Sequence, residues 1–157
     1  MTALQPLISL LGQTERERDE VAAQVQHAVN ALQAAQTQAE QLLTYRSEYE
    51  QRWNAQFKRE GGMELVNCYR GFMDRLTMAV DQQQRAVRSA EVLVTRGKEA
   101  LRESEIRVAS VRKLIERRVH EMQQSADRRE QKQTDEFAAR AAWTQRAVEA
   151  ARSLPAR

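Results

Sequence analysis

The sequence predicts an all-α chain: a long antiparallel two-helix coiled-coil hairpin whose second helix is longer than the first. Three observations carry that prediction. Proline stands only at positions 6 and 155, and a proline inside a helix costs about 3 kcal/mol, so almost the whole length is open to uninterrupted helix. Between those prolines, the pair Gly61-Gly62 is the place where a helix should break and the chain reverse, because glycine can take the left-handed conformation that closes a helix. On both sides of that pair, apolar and small residues recur at alternating steps of three and four, the mark of a coiled-coil seam.

The first helix is expected over residues 4–59. Its seam runs Leu4, Leu7, Leu11, then Val21, Val25, Ala28, Leu32, Ala35, Ala39, Leu42, Tyr49 and Trp53, interrupted by Thr14, Arg18 and Arg46. Alanine lets two helices approach closely but buries little area, so each larger side chain, at roughly 1.5 to 3 kcal/mol when buried, matters disproportionately. A turn is expected at 60–62. The second helix is expected over 63–152, with a seam of Leu65, Tyr69, Phe72, Leu76, Val80, Gln83, Val87, Ala90, Val94, Gly97, Leu101, Ser104, Val108, Val111, Ile115 and Met122. The consecutive four-residue steps from Phe72 to Leu76 to Val80 are a stutter, which locally unwinds a supercoil. Facing residues should have numbers that sum to about 121 to 123. At 1.5 Å per residue the helices would be ~84 and ~135 Å long, leaving an unpaired C-terminal overhang from about residue 120 in what is expected to be a single domain, residues 1–157.

Composition agrees with a seam rather than a core. Of 157 residues, 30% are charged and 5% aromatic, which is unlike a compact globule. The formal net charge of +3 is unevenly placed. Residues 112–157 hold 11 basic and 7 acidic side chains, a balance of +4, against 14 basic and 15 acidic before them. No apolar stretch approaches the ~20 residues that span a bilayer, and the N-terminus lacks the regions of a secretion signal, so a cytosolic protein without membrane insertion is expected. The single Cys68 cannot form an intramolecular disulfide and agrees with a reducing compartment.

Chemistry is not expected. No glycine-rich phosphate loop, metal-ligand cluster or nucleophile beside a base occurs, so no catalytic residue, cofactor or metal is assigned. Cys68 reads as a small packed side chain, and His27 and His120 as surface positions. The aromatic residues say more. Tyr45, Tyr49, Trp53 and Phe57 precede the double glycine at steps of four, and Tyr69 and Phe72 follow it, so six of eight aromatics gather at one end. They could plug a seam that broadens near the turn. Alternatively, Gln38, Leu42, Tyr45 and Tyr49 form one stripe at steps of 4, 3 and 4, and Phe72, Leu76, Ala79 and Gln83 another with the same steps. The pairing rule sets 38 opposite 83, 42 opposite 79, 45 opposite 76 and 49 opposite 72, which merges the stripes into one patch. A two-helix seam needs two positions per heptad, so the surplus is expected to be partly exposed and to mark a partner site.

The basic overhang could simply keep a long helix in solution, or Arg128, Arg129, Lys132 and Arg140 could meet an acidic partner or a nucleic acid. Interleaved Asp127, Glu130, Asp135 and Glu136 dilute any phosphate-binding field, and no nucleic acid is assigned. Phe137 and Trp143, with the alanines around them, look like an interface awaiting a partner.

Three groups of residues follow one another along the chain: Leu42, Tyr45, Glu48 and Tyr49; then Asn67, Tyr69, Phe72 and Leu76; then Gln131, Lys132, Asp135, Glu136, Phe137, Ala138 and Arg140. In these three places the chain resembles the FliJ family of flagellar type III export proteins. Each motif is weak alone; their order and spacing around a hairpin make the match specific. The resemblance implies a non-enzymatic stalk that enters the hexameric ring of the export ATPase FliI, raises its activity, contacts the export-gate protein FlhA and recycles empty flagellar export chaperones, in the cytoplasm and peripherally at the inner membrane by the basal body. It sets the gate contact on Gln38, Leu42, Tyr45, Tyr49, Phe72, Leu76, Ala79 and Gln83. Ring-facing candidates are Leu7, Leu11, Gln131, Lys132, Asp135, Glu136, Phe137 and Arg140. The stalk protein of a virulence injectisome, a passive coiled-coil scaffold and a helical nucleic-acid binder are the alternatives, and a homodimer opened at the double glycine would satisfy the same heptads.

Overall fold

A computed structural model describes residues 3–59 and 62–156. They form two helices, α1 (Gln5–Phe57) and α2 (Met63–Arg152), the all-α pair with a longer second member that the heptads predict. The ends follow from local chemistry. Leu4 offers its carbonyl to the Ile8 N–H at 2.9 Å, which opens α1; Pro6 sits in the first turn, where its missing N–H would have found no partner anyway. Helix α1 stops at Phe57, two residues earlier than the spacing predicts, and the Arg59 N–H closes a tight turn onto the Gln56 carbonyl at 3.0 Å. At the far end, Ser153 caps α2 with its N–H on Glu149 O and its hydroxyl on Ala150 O, and Pro155 follows.

The predicted turn departs from expectation at the glycine that can be described. Gly62 has no left-handed backbone. Its carbonyl instead accepts the Val66 N–H at 3.2 Å, so Gly62 is the N-cap of α2, a role in which glycine is well tolerated. Gly61 lies outside the described residues.

The chain divides into two compact units. The larger, Gly12–Val108, is a helical hairpin built on the predicted seam. Along α1, Thr14, Val21, Val25, Ala28, Leu32, Ala35, Ala39, Leu42, Tyr49 and Trp53 are all buried or half-buried. Arg18 and Arg46 are half-buried too, and Thr14 is among the most buried side chains of the chain at 9% exposure. These three therefore do not interrupt the seam; they are polar members of an unbroken repeat. Opposite them, Leu76, Val80, Val94 and Val108 form the core. Ser104 is buried with its hydroxyl on the Ala100 carbonyl of its own helix at 3.0 Å, which removes the cost of an unpaired buried donor.

Two contacts fix the register of this hairpin. A Cβ added to Gly97 would lie 3.1 Å from Val25 Cγ2, and the rings of Tyr49 and Phe72 stand 4.3 Å apart; their numbers sum to 122 and 121, as the spacing predicts. Thin residues at the first contact bring the helices close, and bulky ones at the second hold them apart.

The smaller unit joins the described residues of Met1–Leu11 with those of Ala109–Arg157. Leu4, Leu7, Leu11, Val111 and Ile115 are half-buried here, and every described residue from 116 onward is exposed. Met122, expected as the last seam position, is 42% exposed, so the covered stripe ends one step sooner, at Ile115.

Candidate partner-binding surfaces

At the turn-proximal end of the hairpin unit, the four-residue steps of α1 stack Tyr45, Tyr49, Trp53 and Phe57 on one side, because residues i and i+4 share a helix face. Helix α2 returns Tyr69 and Phe72 against them. Tyr49 is the hub, with ring centroids 6.0 Å from Tyr45, 5.8 Å from Trp53, 6.5 Å from Tyr69 and 4.3 Å from Phe72. Tyr69 also meets Trp53 and Phe57, each at 5.4 Å. Tilted and edge-on ring pairs at such distances add about 0.5 to 1.5 kcal/mol each beyond the area they bury. The cluster is thus the structural plug that the sequence allows for, and it holds part of the double stripe in place.

The eight residues of that double stripe separate by depth. Gln38 and Tyr45 are exposed, Tyr45 to 45%. Leu42, Tyr49, Phe72 and Ala79 are half-buried. Leu76 is 7% exposed and is a core residue of the hairpin, with little surface left for a partner. Gln83 is half-buried, and its Nε2 donates to the Ala35 carbonyl across the seam at 3.0 Å. What solvent meets is a ridge headed by Tyr45 and Gln38 and flanked by the half-buried Leu42, Tyr49 and Phe72.

Other apolar side chains of this unit lie bare outside the stripes: Met78, Leu93 and Val92 at 70, 60 and 47% exposure. Sequence reasoning passed over them because it followed the seam. Counting outward from that seam would have found them, since Val92 and Leu93 fall between the covered positions Ala90 and Val94.

In the smaller unit, Gln131, Lys132, Asp135, Glu136, Phe137 and Arg140 are all exposed, with Phe137 at 77% and Trp143 at 74%. Leu7 and Leu11 are half-buried in seam positions. In the first turns of α1 it is Ile8 and Leu10, at 51 and 42%, that face outward. A shallow groove on α2 is lined by Glu121, Gln124, Ser125, Arg128, Arg129 and Lys132, which mixes cations with a carboxylate. Farther along, Glu130, Asp135 and Glu136 alternate with Lys132 and Arg140, and that alternation weakens a phosphate-attracting field.

Cys68 is exposed rather than packed as expected, because it stands one position before Tyr69, which takes the seam; His27 and His120 are exposed. Among the described residues, no group of three or more His, Cys, Asp or Glu side chains could hold a metal ion, and no helix is long and apolar enough to cross a membrane.

Comparison with known proteins gives one finding. The family model described as flagellar FliJ protein matches residues 3–147. No curated protein and no solved structure matches the chain.

Proposed function

From the premise that the chain belongs to the flagellar FliJ family, a non-catalytic component of flagellar type III protein export, we propose that it is the stalk of the export ATPase ring. It binds the FliI hexamer through the exposed C-terminal part of α2 with the first turns of α1. It contacts the export gate FlhA through the Tyr45 ridge, and it assists the recycling of flagellar export chaperones. It works in the cytoplasm, peripherally at the inner membrane.

One observation carries the ATPase reading. Phe137 and Trp143 are about three-quarters exposed on a helix whose described residues are all exposed from 116 onward. Large rings left in water on a charged helix are the usual anchors of a protein interface. A single helix inside a ring presents different side chains to successive subunits. It can therefore favour the closed, nucleotide-bound form of one and the open form of another, and differential contact of this kind is the means by which a bound protein shifts such an equilibrium.

Adding the chain to FliI should raise the rate of ATP hydrolysis, and the double change Phe137→Ala with Trp143→Ala should abolish the rise while leaving helicity intact. A flat rate with the unaltered chain would overturn the stalk reading in favour of a passive scaffold. For the gate, Tyr45→Ala with Tyr49→Ala should remove FlhA binding at retained helix content; unchanged binding would move the contact elsewhere. Membership of the flagellar family favours this assignment over the corresponding injectisome stalk.

A further inference from the structure

Of the eight residues in the double stripe, Gln83 is the one whose side-chain amide hydrogen-bonds the backbone of the other helix. The pairing rule sets Gln38 opposite it, but Gln38 is exposed and it is the half-buried Ala39, the two numbers summing to 122, that shares the seam with Gln83. The acceptor, however, is the carbonyl of Ala35, at 3.0 Å. A helix carbonyl points along the axis toward the residue four positions on, so the Ala35 oxygen opens toward Ala39 and lies within reach of the Gln83 amide. Both α1 residues are alanine, and a larger side chain at either would wall that oxygen off.

We propose that Gln83 is a positioning residue that sets the rotational phase of α2 against α1, and that this, rather than contact with a partner, is how it serves the gate-binding ridge. The claim rests on the gate reading above. The Phe72, Leu76, Val80 stutter lies immediately before Gln83 and is where a coiled coil loses its preferred phase. The half-buried state of Ala79 beside the 3% exposure of Val80 reflects that loss, since two adjacent residues share the seam there. Beyond it the seam is thin, with Ala35, Ala39 and Ala90, and small apolar side chains discriminate weakly between arrangements. A hydrogen bond to one particular carbonyl does discriminate. Rotation of α2 would strip the amide of its partner. A single polar seam residue fixes pairing in this way at some cost in stability.

Spin labels at Gln41 and Gln82, both exposed, in a Cys68→Ser background report the phase in the isolated chain. One narrow distance is expected for Gln83 itself. Gln83→Leu, which keeps the seam apolar, should broaden or split that distance without lowering the melting temperature. It should also weaken gate binding by up to about tenfold, the ratio that one interhelical hydrogen bond can shift. Gln83→Glu should behave like Gln83→Leu at neutral pH and recover the single distance below about pH 4, where the carboxyl regains an O–H to donate. An unchanged narrow distance in Gln83→Leu, or no recovery in Gln83→Glu at acid pH, would overturn the proposal. So would altered distances with unaltered gate affinity. The labels are read without any partner, so failure of gate binding by the parent chain sinks the gate reading while the distances still decide the clamp.

Discussion

Helix α2 contains two stretches of opposite fate. From Leu65 to Ile115 a buried or half-buried residue recurs every three or four positions, whereas from 116 onward every described residue is exposed. Aromatic residues occur in both: Phe72 is half-buried against Tyr49, while Phe137 stands 77% in solvent. Large apolar residues thin out after Ile115, and those that remain have no second stripe to meet, because a helix buries a side chain only against another surface. Helix α1 begins at Gln5, and with paired numbers summing to about 122 it has nothing left to offer beyond residue 117. The covered stretch therefore draws its stability from packing. The uncovered one must rely on helix propensity, which is marginal for an isolated helix in water.

The largest effect should come from placing a charge in the covered stretch. Val108 is 2% exposed, so Val108→Asp should cost about 3 to 5 kcal/mol, the penalty of a buried charge without a partner, and appear as a large fall in melting temperature by circular dichroism. Next is Tyr49→Ala, which removes the hub of the ring cluster; about 2 kcal/mol is expected, since the ring is half-buried rather than enclosed. Near-ultraviolet dichroism should weaken with it.

A glycine pair sharpens the contrast further. Gly71→Ala should stabilise by nearly 1 kcal/mol through helix propensity alone, as nothing lies within 4 Å of its would-be Cβ. The same change at Gly97 should give little or no net gain, because Val25 Cγ2 would be 3.1 Å away and must give way. The smallest effect belongs to the uncovered stretch, where Trp143→Ala should alter unfolding stability by no more than about 0.5 kcal/mol. Amides between 120 and 150 should correspondingly exchange with solvent far faster than those between 76 and 108. Equal protection in the two stretches would break the comparison outright.

Much of this was legible in residue spacing. The steps of three and four along α1 and α2 name the seam nearly position by position, and the prolines bracket the helices. Spacing could not show that Thr14, Arg18 and Arg46 stay within the repeat, because a polar side chain looks like a break until its surroundings are known. Nor could it separate Leu76, which is in the core, from Tyr45, which heads the ridge, since both fit the same stripe. The outward turn of Ile8 and Leu10 in place of Leu7 and Leu11 was hidden for the same reason.

By itself the sequence determined the helices, their heptad phase and the pairing of Val25 with Gly97 and Tyr49 with Phe72, because periodicity and chain connectivity leave few other ways to bury those residues. Depth was decided only by tertiary structure. Which edge of a stripe is covered, which amide finds a carbonyl across the seam, and where a longer helix runs out of partner depend on the close approach of two backbones, and no single helix encodes that distance.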